Sequence, residues 1–160
     1  MLFLQETHIL FPSLELKFKQ TLSQLYSCWN SNCGIIVKNP SLLPTNPQSL
    51  LNNHILVLDI TWNSLTFPLV CVYAPAQNSS VKSVFFNECT NLPLFSPDSI
   101  WAGDFNCWLN PLTDYILNTY RPPHGHMEFW QLQSWYGLMD SALSYQDCYP
   151  PMTRHNYVGG

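Results

Sequence analysis

Charge is scarce in this chain. Only 10% of its 160 residues are Asp, Glu, Lys or Arg, and the formal balance is −4. Lys17, Lys19, Lys38, Lys82, Arg121 and Arg154 are the whole cationic supply. That excludes the clustered Lys and Arg with which a protein grips nucleic-acid backbone by its own field. A nucleic-acid role must therefore draw on a bound metal or on other parts of a larger protein. Long apolar runs are also missing. No stretch reaches the roughly 18 to 20 residues of a membrane-spanning helix, and Glu6 interrupts the segment where a leader needs an apolar run. The expected setting is intracellular, nuclear or cytoplasmic, without a membrane partner. Cys28, Cys33, Cys71, Cys89, Cys107 and Cys148 form no CxxC pair, which argues for free thiols and against a zinc knuckle. His124 and His126 could offer two imidazoles to a metal, but beside Pro122 and Pro123 they read as an exposed loop.

What is present is core-forming material: 46% apolar residues and 14% aromatics, enough for a single domain over 1–160. Met1 to Gln5 reads as a buried strand. Pro12 to Gln24 is ambiguous, with Leu14, Phe18, Leu22 and Leu25 at helical spacing. Leu25 to Trp29 and Cys33 to Val37 read as a hairpin about Asn30-Ser31-Asn32. Asn39 to Asn53, with Pro40, Pro44 and Pro47, reads as an irregular connection. His54 to Trp62 and Leu65 to Tyr73 form a second hairpin about Asn63-Ser64, with Pro68 pointing to a bulge or edge. A helix capped by Asn78 or Ser79 runs to about Leu92, with Val81, Val84, Phe85 and Cys89 on its apolar face and Lys82 off it. Ser99 to Ala102 is a further strand. His126 to Leu138 is a helix with Met127, Trp130 and Leu132 among its apolar positions. This order implies an α/β layered fold with mixed, largely antiparallel sheets. The tryptophans Trp101, Trp108, Trp130 and Trp135 read as core or rim packing rather than base-stacking platforms, which interleave aromatics with cations.

Three apolar segments each end in a polar group and a break: Leu4-Gln5-Glu6-Thr7-His8, Val72-Tyr73-Ala74-Pro75 and Gly103-Asp104-Phe105-Asn106. Gly103 permits a tight turn, and Asp104 and Asn106 point the same way if the chain stays extended. A common sheet would bring Glu6, Tyr73, Asp104 and Asn106 to one rim. Two carboxylates roughly 4 Å apart repel by about 4 kcal/mol at an effective dielectric of about 20. A shared proton or a hard divalent cation would neutralise them. Carboxylates plus water are what Mg²⁺ accepts, leaving positions for phosphate oxygens. Tyr73 and Asn106 add neutral donors suited to a phosphate or a water nucleophile.

At these residues, and at Leu109-Asn110-Pro111-Leu112-Thr113-Asp114, the chain resembles the endonuclease/exonuclease/phosphatase superfamily, and within it the apurinic-endonuclease-like domain of non-LTR retrotransposons. The resemblance implies a DNase I-like four-layer α/β sandwich and Mg²⁺-dependent hydrolysis of DNA phosphodiesters, with Mn²⁺ as an alternative occupant. It makes Glu6 the metal ligand, Asp104 the group that orients or deprotonates the attacking water, Asn106 a holder of that water or of a phosphate oxygen, and Tyr73 a contact to the scissile phosphate. Asp114 matches a family position near the site. A reverse transcriptase region in a longer parent protein is implied as well.

Two family motifs have no match: an initial Asn-bearing strand and a closing Asp-His pair, for which His155 after Arg154 is no substitute. The domain is therefore expected to be truncated at both ends and the isolated chain feeble or inactive. Two other readings stand beside the nuclease one. One is a phosphatase or phosphodiesterase of the same fold acting on a small phosphorylated molecule, suggested by the low cation count. The other is a non-catalytic fold remnant with an open sheet edge.

Overall fold

The computed structural model describes residues 1–22, 25–76, 80–92, 98–107 and 125–139. Strand β1 (Leu2–Gln5) and strand β2 (Tyr26–Trp29) flank strand β3 (Cys33–Val37), both antiparallel to it. The β2–β3 turn is an Asn device: Asn30 Oδ1 accepts from the N–H groups of Asn32 at 3.0 Å and Cys33 at 2.6 Å. Such side-chain mimicry of a backbone turn is what Asn supplies. Asn30 also reaches the other sheet, its Nδ2 donating to Ser49 Oγ at 2.8 Å and to the Ile55 carbonyl at 3.2 Å.

The ambiguous segment resolves as helix α1 (Pro12–Thr21), opened by proline and carrying a Glu15–Lys19 ion pair at 2.7 Å. Proline suits that place because its missing N–H has no helical partner there. Helix α1 buries no residue completely; Phe18 packs against Trp29 at 5.2 Å, on the outer side of the first sheet. Trp29 in turn lies over Gly34, its register partner, where an added Cβ would come within 2.3 Å of the indole.

The second sheet runs β4 (Leu43–Leu50), β5 (Ile55–Trp62), β6 (Leu65–Tyr73), β7 (Ile100–Asp104). Neighbours are antiparallel except β6 and β7, which are parallel and joined through helix α2 (Ser80–Thr90). Strand β4 corrects the expectation of an irregular connection over Asn39 to Asn53. It is an edge strand paired only with β5, and its register shifts between Thr45 and Gln48. Prolines are tolerated at edges and bulges, so their number did not exclude a strand. Pro68 is neither at a bulge nor on an edge strand. It pairs in register with Asp59 in a strand flanked on both sides. The β7 ladder begins only at Leu69, so no pairing with β7 is lost at the proline.

Alternation along β5 and β6 divides the core. Leu56, Leu58, Ile60, Leu69 and Cys71 face the first sheet and meet Cys28, Cys33, Ile35 and Val37. Ile55, Val57, Val70 and Val72 face the helices and meet Phe85, Phe86, Cys89, Phe129, Leu132 and Tyr136. The second sheet is thus buried on both faces, between the first sheet and the helices α2 and α3 (His126–Tyr136). The face expected for α2 is met at Phe85 and Cys89 and corrected at its other positions. In α2 the inward positions are Lys82, Phe85, Phe86 and Cys89, while Val81 and Val84 are exposed. In α3 they are His126, Phe129, Leu132 and Tyr136, while Met127 and Trp130 are exposed. Trp135 is 73% exposed, a rim residue rather than core. Trp101 packs on Tyr136 at 5.7 Å.

Candidate active site

Four strand ends and turns meet where β1 crosses β6. Gln5 Nε2 donates to Cys71 Sγ at 3.5 Å, and that thiol donates to the Leu4 carbonyl at 3.5 Å. Immediately beyond, the chain kinks: Glu6 takes φ 53 and His8 φ 50, conformations rare for residues with a Cβ. Thr7 anchors the kink, its Oγ1 donating to the Asn30 carbonyl at 2.9 Å. The consequence is that the exposed Glu6 carboxylate lies over Tyr73, whose hydroxyl donates to Glu6 Oε1 at 2.9 Å.

Asp104 is the register partner of Tyr73 across β6 and β7, and its carbonyl accepts from Ala74 N–H at 2.8 Å. Gly103 is needed for this pairing. An added Cβ would lie 1.9 Å from the Val72 carbonyl oxygen, and φ is 147. The glycine therefore serves close strand approach within β7, not a turn. The turn comes later, at Asn106, with φ 49. The expectation of an extended chain from Asp104 to Asn106 is corrected here: the Asn106 N–H folds back onto Asp104 Oδ1 at 2.8 Å, and Asn106 Nδ2 donates to the Ala74 carbonyl at 2.8 Å. Asn favours both the left-handed conformation and such local bonds.

Glu6, Tyr73, Asp104 and Asn106 are thus gathered at one rim from distant parts of the chain. The electrostatics agree. The hydrogen bond to Glu6, then burial, then the charges of Glu6 and Asp104 raise the Tyr73 phenol above its ordinary value, so it stays a donor near neutrality. Asp114, Arg121, His124, Arg154 and His155, and with them Trp108 and Cys148, lie outside the described residues. His126 corrects the exposed-loop reading: it is buried in the first turn of α3, its ring 4.8 Å from Trp130.

Two residues that sequence reasoning passed over support the rim. His54 Nδ1 meets the Tyr73 carbonyl at 2.5 Å, and its ring stacks on the phenol with centroids 6.1 Å apart. Facing a carbonyl, that nitrogen carries the hydrogen. Lys82 is 5% exposed and its Nζ donates to the Asn106 carbonyl at 2.8 Å. Its spacing to Phe85, Phe86 and Cys89 marks one helical face, the signal that could have found it. Nothing local marks His54.

Among the described residues no three of His, Cys, Asp and Glu gather into a ready metal cluster. Glu6 and Asp104 are nonetheless a hard, all-oxygen donor pair. That suits Mg²⁺, which keeps several waters and takes one or two carboxylates plus substrate phosphate. The described cysteines Cys28, Cys33, Cys71 and Cys89 are free thiols. Burial pushes Cys28 and Cys89 up to about 12 and Cys107 to about 11. A hydrogen bond with Cys71 and burial also raise Cys33, so Cys28, Cys33, Cys89 and Cys107 are packing thiols, not thiolate ligands.

No family model matches the chain, and no curated protein does. Among solved structures, humanized TDP2 of D. rerio carrying 14 mutations aligns with a TM-score of 0.51 at 15% identity, over 68% of this chain and 49% of that one. D. rerio TDP2 complexed with a single-strand DNA product gives 0.47 at 16% identity, over 68% and 48%. The chain spans about half the length of these structures. The first likeness shows the fold: a mixed, two-sheet DNase I-like α/β sandwich.

Proposed function

We propose that the rim is the site of a divalent-cation-dependent phosphodiester hydrolase of the endonuclease class acting on DNA. One observation carries this: Glu6, from the kink after β1, is hydrogen-bonded to Tyr73, whose strand neighbour is Asp104. The bland alternative is a surface tyrosine bonded to a solvated acid. It leaves unexplained why a second carboxylate, a left-handed Asn turn and a tight-packing glycine stand beside that pair.

In this reading Glu6 and Asp104 would hold Mg²⁺, or Mn²⁺ in its place. When bound, the cation would neutralise charge that develops on the phosphate. Asp104 would orient or deprotonate the attacking water, the work of a general base. Tyr73 would turn its single O–H from Glu6 Oε1 to a phosphate oxygen when substrate binds. Asn106 fixes the turn that presents Asp104, and the family resemblance assigns its carboxamide to the water or a phosphate oxygen.

The test is Mn²⁺ binding by electron paramagnetic resonance, with plasmid nicking in Mg²⁺ read at enzyme excess. Glu6→Gln should weaken Mn²⁺ binding, and Asp104→Asn should lower nicking by on the order of 10²-fold. Binding and nicking indifferent to both changes would overturn the assignment. The count of six Lys and Arg favours a second reading, a small phosphorylated substrate. Phosphomonoester turnover that exceeds nicking, and is lost in Asp104→Asn, would select it.

A further inference from the structure

Lys82 enters the first turn of α2 almost without solvent, 5% exposed, an unfavourable place for an ammonium unless it is held by polar partners. Its stem is confined by α3: a Cβ added at Gly125, the residue before that helix, would lie 2.8 Å from Lys82 Cγ. Its head donates to the Asn106 carbonyl at 2.8 Å. Asn106 then hands the constraint on through two further bonds, its N–H to Asp104 Oδ1 and its Nδ2 to the Ala74 carbonyl. Lys82 is therefore the fixed end of a hydrogen-bonded chain that finishes at the Asp104 carboxylate and the end of β6. Asn106 is left-handed at φ 49, and such a conformation persists where its surroundings over-determine it.

We propose that Lys82 is a positioning residue: its buried ammonium pins the Asn106 carbonyl and so holds the turn that aims Asp104 at the reacting phosphate and its cation. This rests on the cation-dependent reading of the rim. It differs from two simpler roles in the sign of a measurable effect. As a mere neighbouring positive charge, Lys82 would oppose a bound cation, and its removal would tighten metal binding. As a mere packing element, its removal would lower stability and leave metal affinity alone.

The experiment uses the 160-residue chain, with Lys82→Met and Lys82→Arg, and two readouts: amide hydrogen exchange at Asn106 and Ala74, and Mn²⁺ affinity. In Lys82→Met, exchange at Asn106 and Ala74 should rise by about tenfold or more while β5 amides stay protected. Mn²⁺ should bind roughly 10- to 100-fold more weakly, the range for lost outer-sphere support. Lys82→Arg keeps a charged donor and should restore both. Should Lys82→Met fail to fold, Lys82→Gln, shorter and uncharged, is read in the same way. Unchanged exchange at Asn106, tighter Mn²⁺ binding, or lost stability with unaltered Mn²⁺ affinity would each overturn the proposal. A wild-type chain that binds no Mn²⁺ sinks the cation-site reading instead, and the exchange data still decide whether Lys82 holds the turn.

Discussion

Tyr73 donates to a carboxylate, and that fixes its response to pH. Its folded-state value is raised, chiefly by the bond to Glu6. Between the unfolded value of about 10 and the raised folded value, the unfolded chain has lost a proton that the folded chain keeps. The bond's contribution is thus fully present below about pH 10 and is lost as pH rises through the folded value. Glu6→Ala removes both the acceptor and its charge, so the Tyr73 phenol should titrate lower than in wild type, and the alkaline loss of stability should shrink. Difference absorbance at 295 nm against a Tyr73→Phe reference isolates this phenol from the chain's 8 tyrosines. A phenol that does not move would show that the Glu6 bond is absent in solution. At Gly103 the prediction concerns sterics. An alanine methyl would sit 1.9 Å from the Val72 oxygen at φ 147, so β6 and β7 must separate. Gly103→Ala should cost more than about 2 kcal/mol, read as a lower urea midpoint. A midpoint within error of wild type would remove the close approach of β6 and β7 from the account.

Helix α2 shows what an element reveals in sequence and what it withholds. Its existence was legible from periodicity, but its phase was not, because Val81, Val84, Phe85, Phe86 and Cys89 offer two overlapping apolar stripes. Bulk decides between them: the stripe carrying Phe85 and Phe86 fills the space over Val70 and Val72, and Lys82 goes inward with it. The contrast is measurable. Phe86→Ala should destabilise by roughly 3 to 5 kcal/mol, the usual cost of emptying a buried aromatic site. Val84→Ala, at a position 51% exposed, should stay within about 0.5 kcal/mol. Equal costs would return the helix to the phase read from sequence. Strand β4 was hidden for a different reason: its prolines are signals against ladder pairing, and only its edge position and register shift make them harmless. At the candidate site, the convergence of Glu6, Tyr73, Asp104 and Asn106 was legible because their segments each carry an apolar run into a polar group and a break. The supports His54 and Lys82 act through tertiary contacts to backbone carbonyls; His54 leaves no local trace, and Lys82 only its helical spacing to Phe85, Phe86 and Cys89.

At the scale of the whole molecule, the rim depends on two seams meeting at one sheet. Strands β5 and β6 send alternate residues to the first sheet and to the helices, so loosening one seam withdraws support from the other. Buried thiols report on both seams: Cys28 and Cys33 lie in the sheet–sheet seam, Cys89 in the helix–sheet seam. With Cys28 and Cys89 pushed up to about 12 by burial, and reaction requiring exposed thiolate, alkylation at pH 8 proceeds only through opening. If the layers open as one cooperative unit, Cys28, Cys33 and Cys89 should become reactive over the same urea range when labelling is followed site by site by mass spectrometry. That range should also coincide with loss of the Tyr73–Glu6 bond, because Glu6 reaches Tyr73 only while Gln5 and Leu4 hold Cys71 across the sheets. Labelling of Cys28 and Cys33 at lower urea than Cys89 would instead make the first sheet a separate unit. Glu6 would then leave the rim before the helix–sheet seam unfolds, and any cation bound through it would be released without global unfolding.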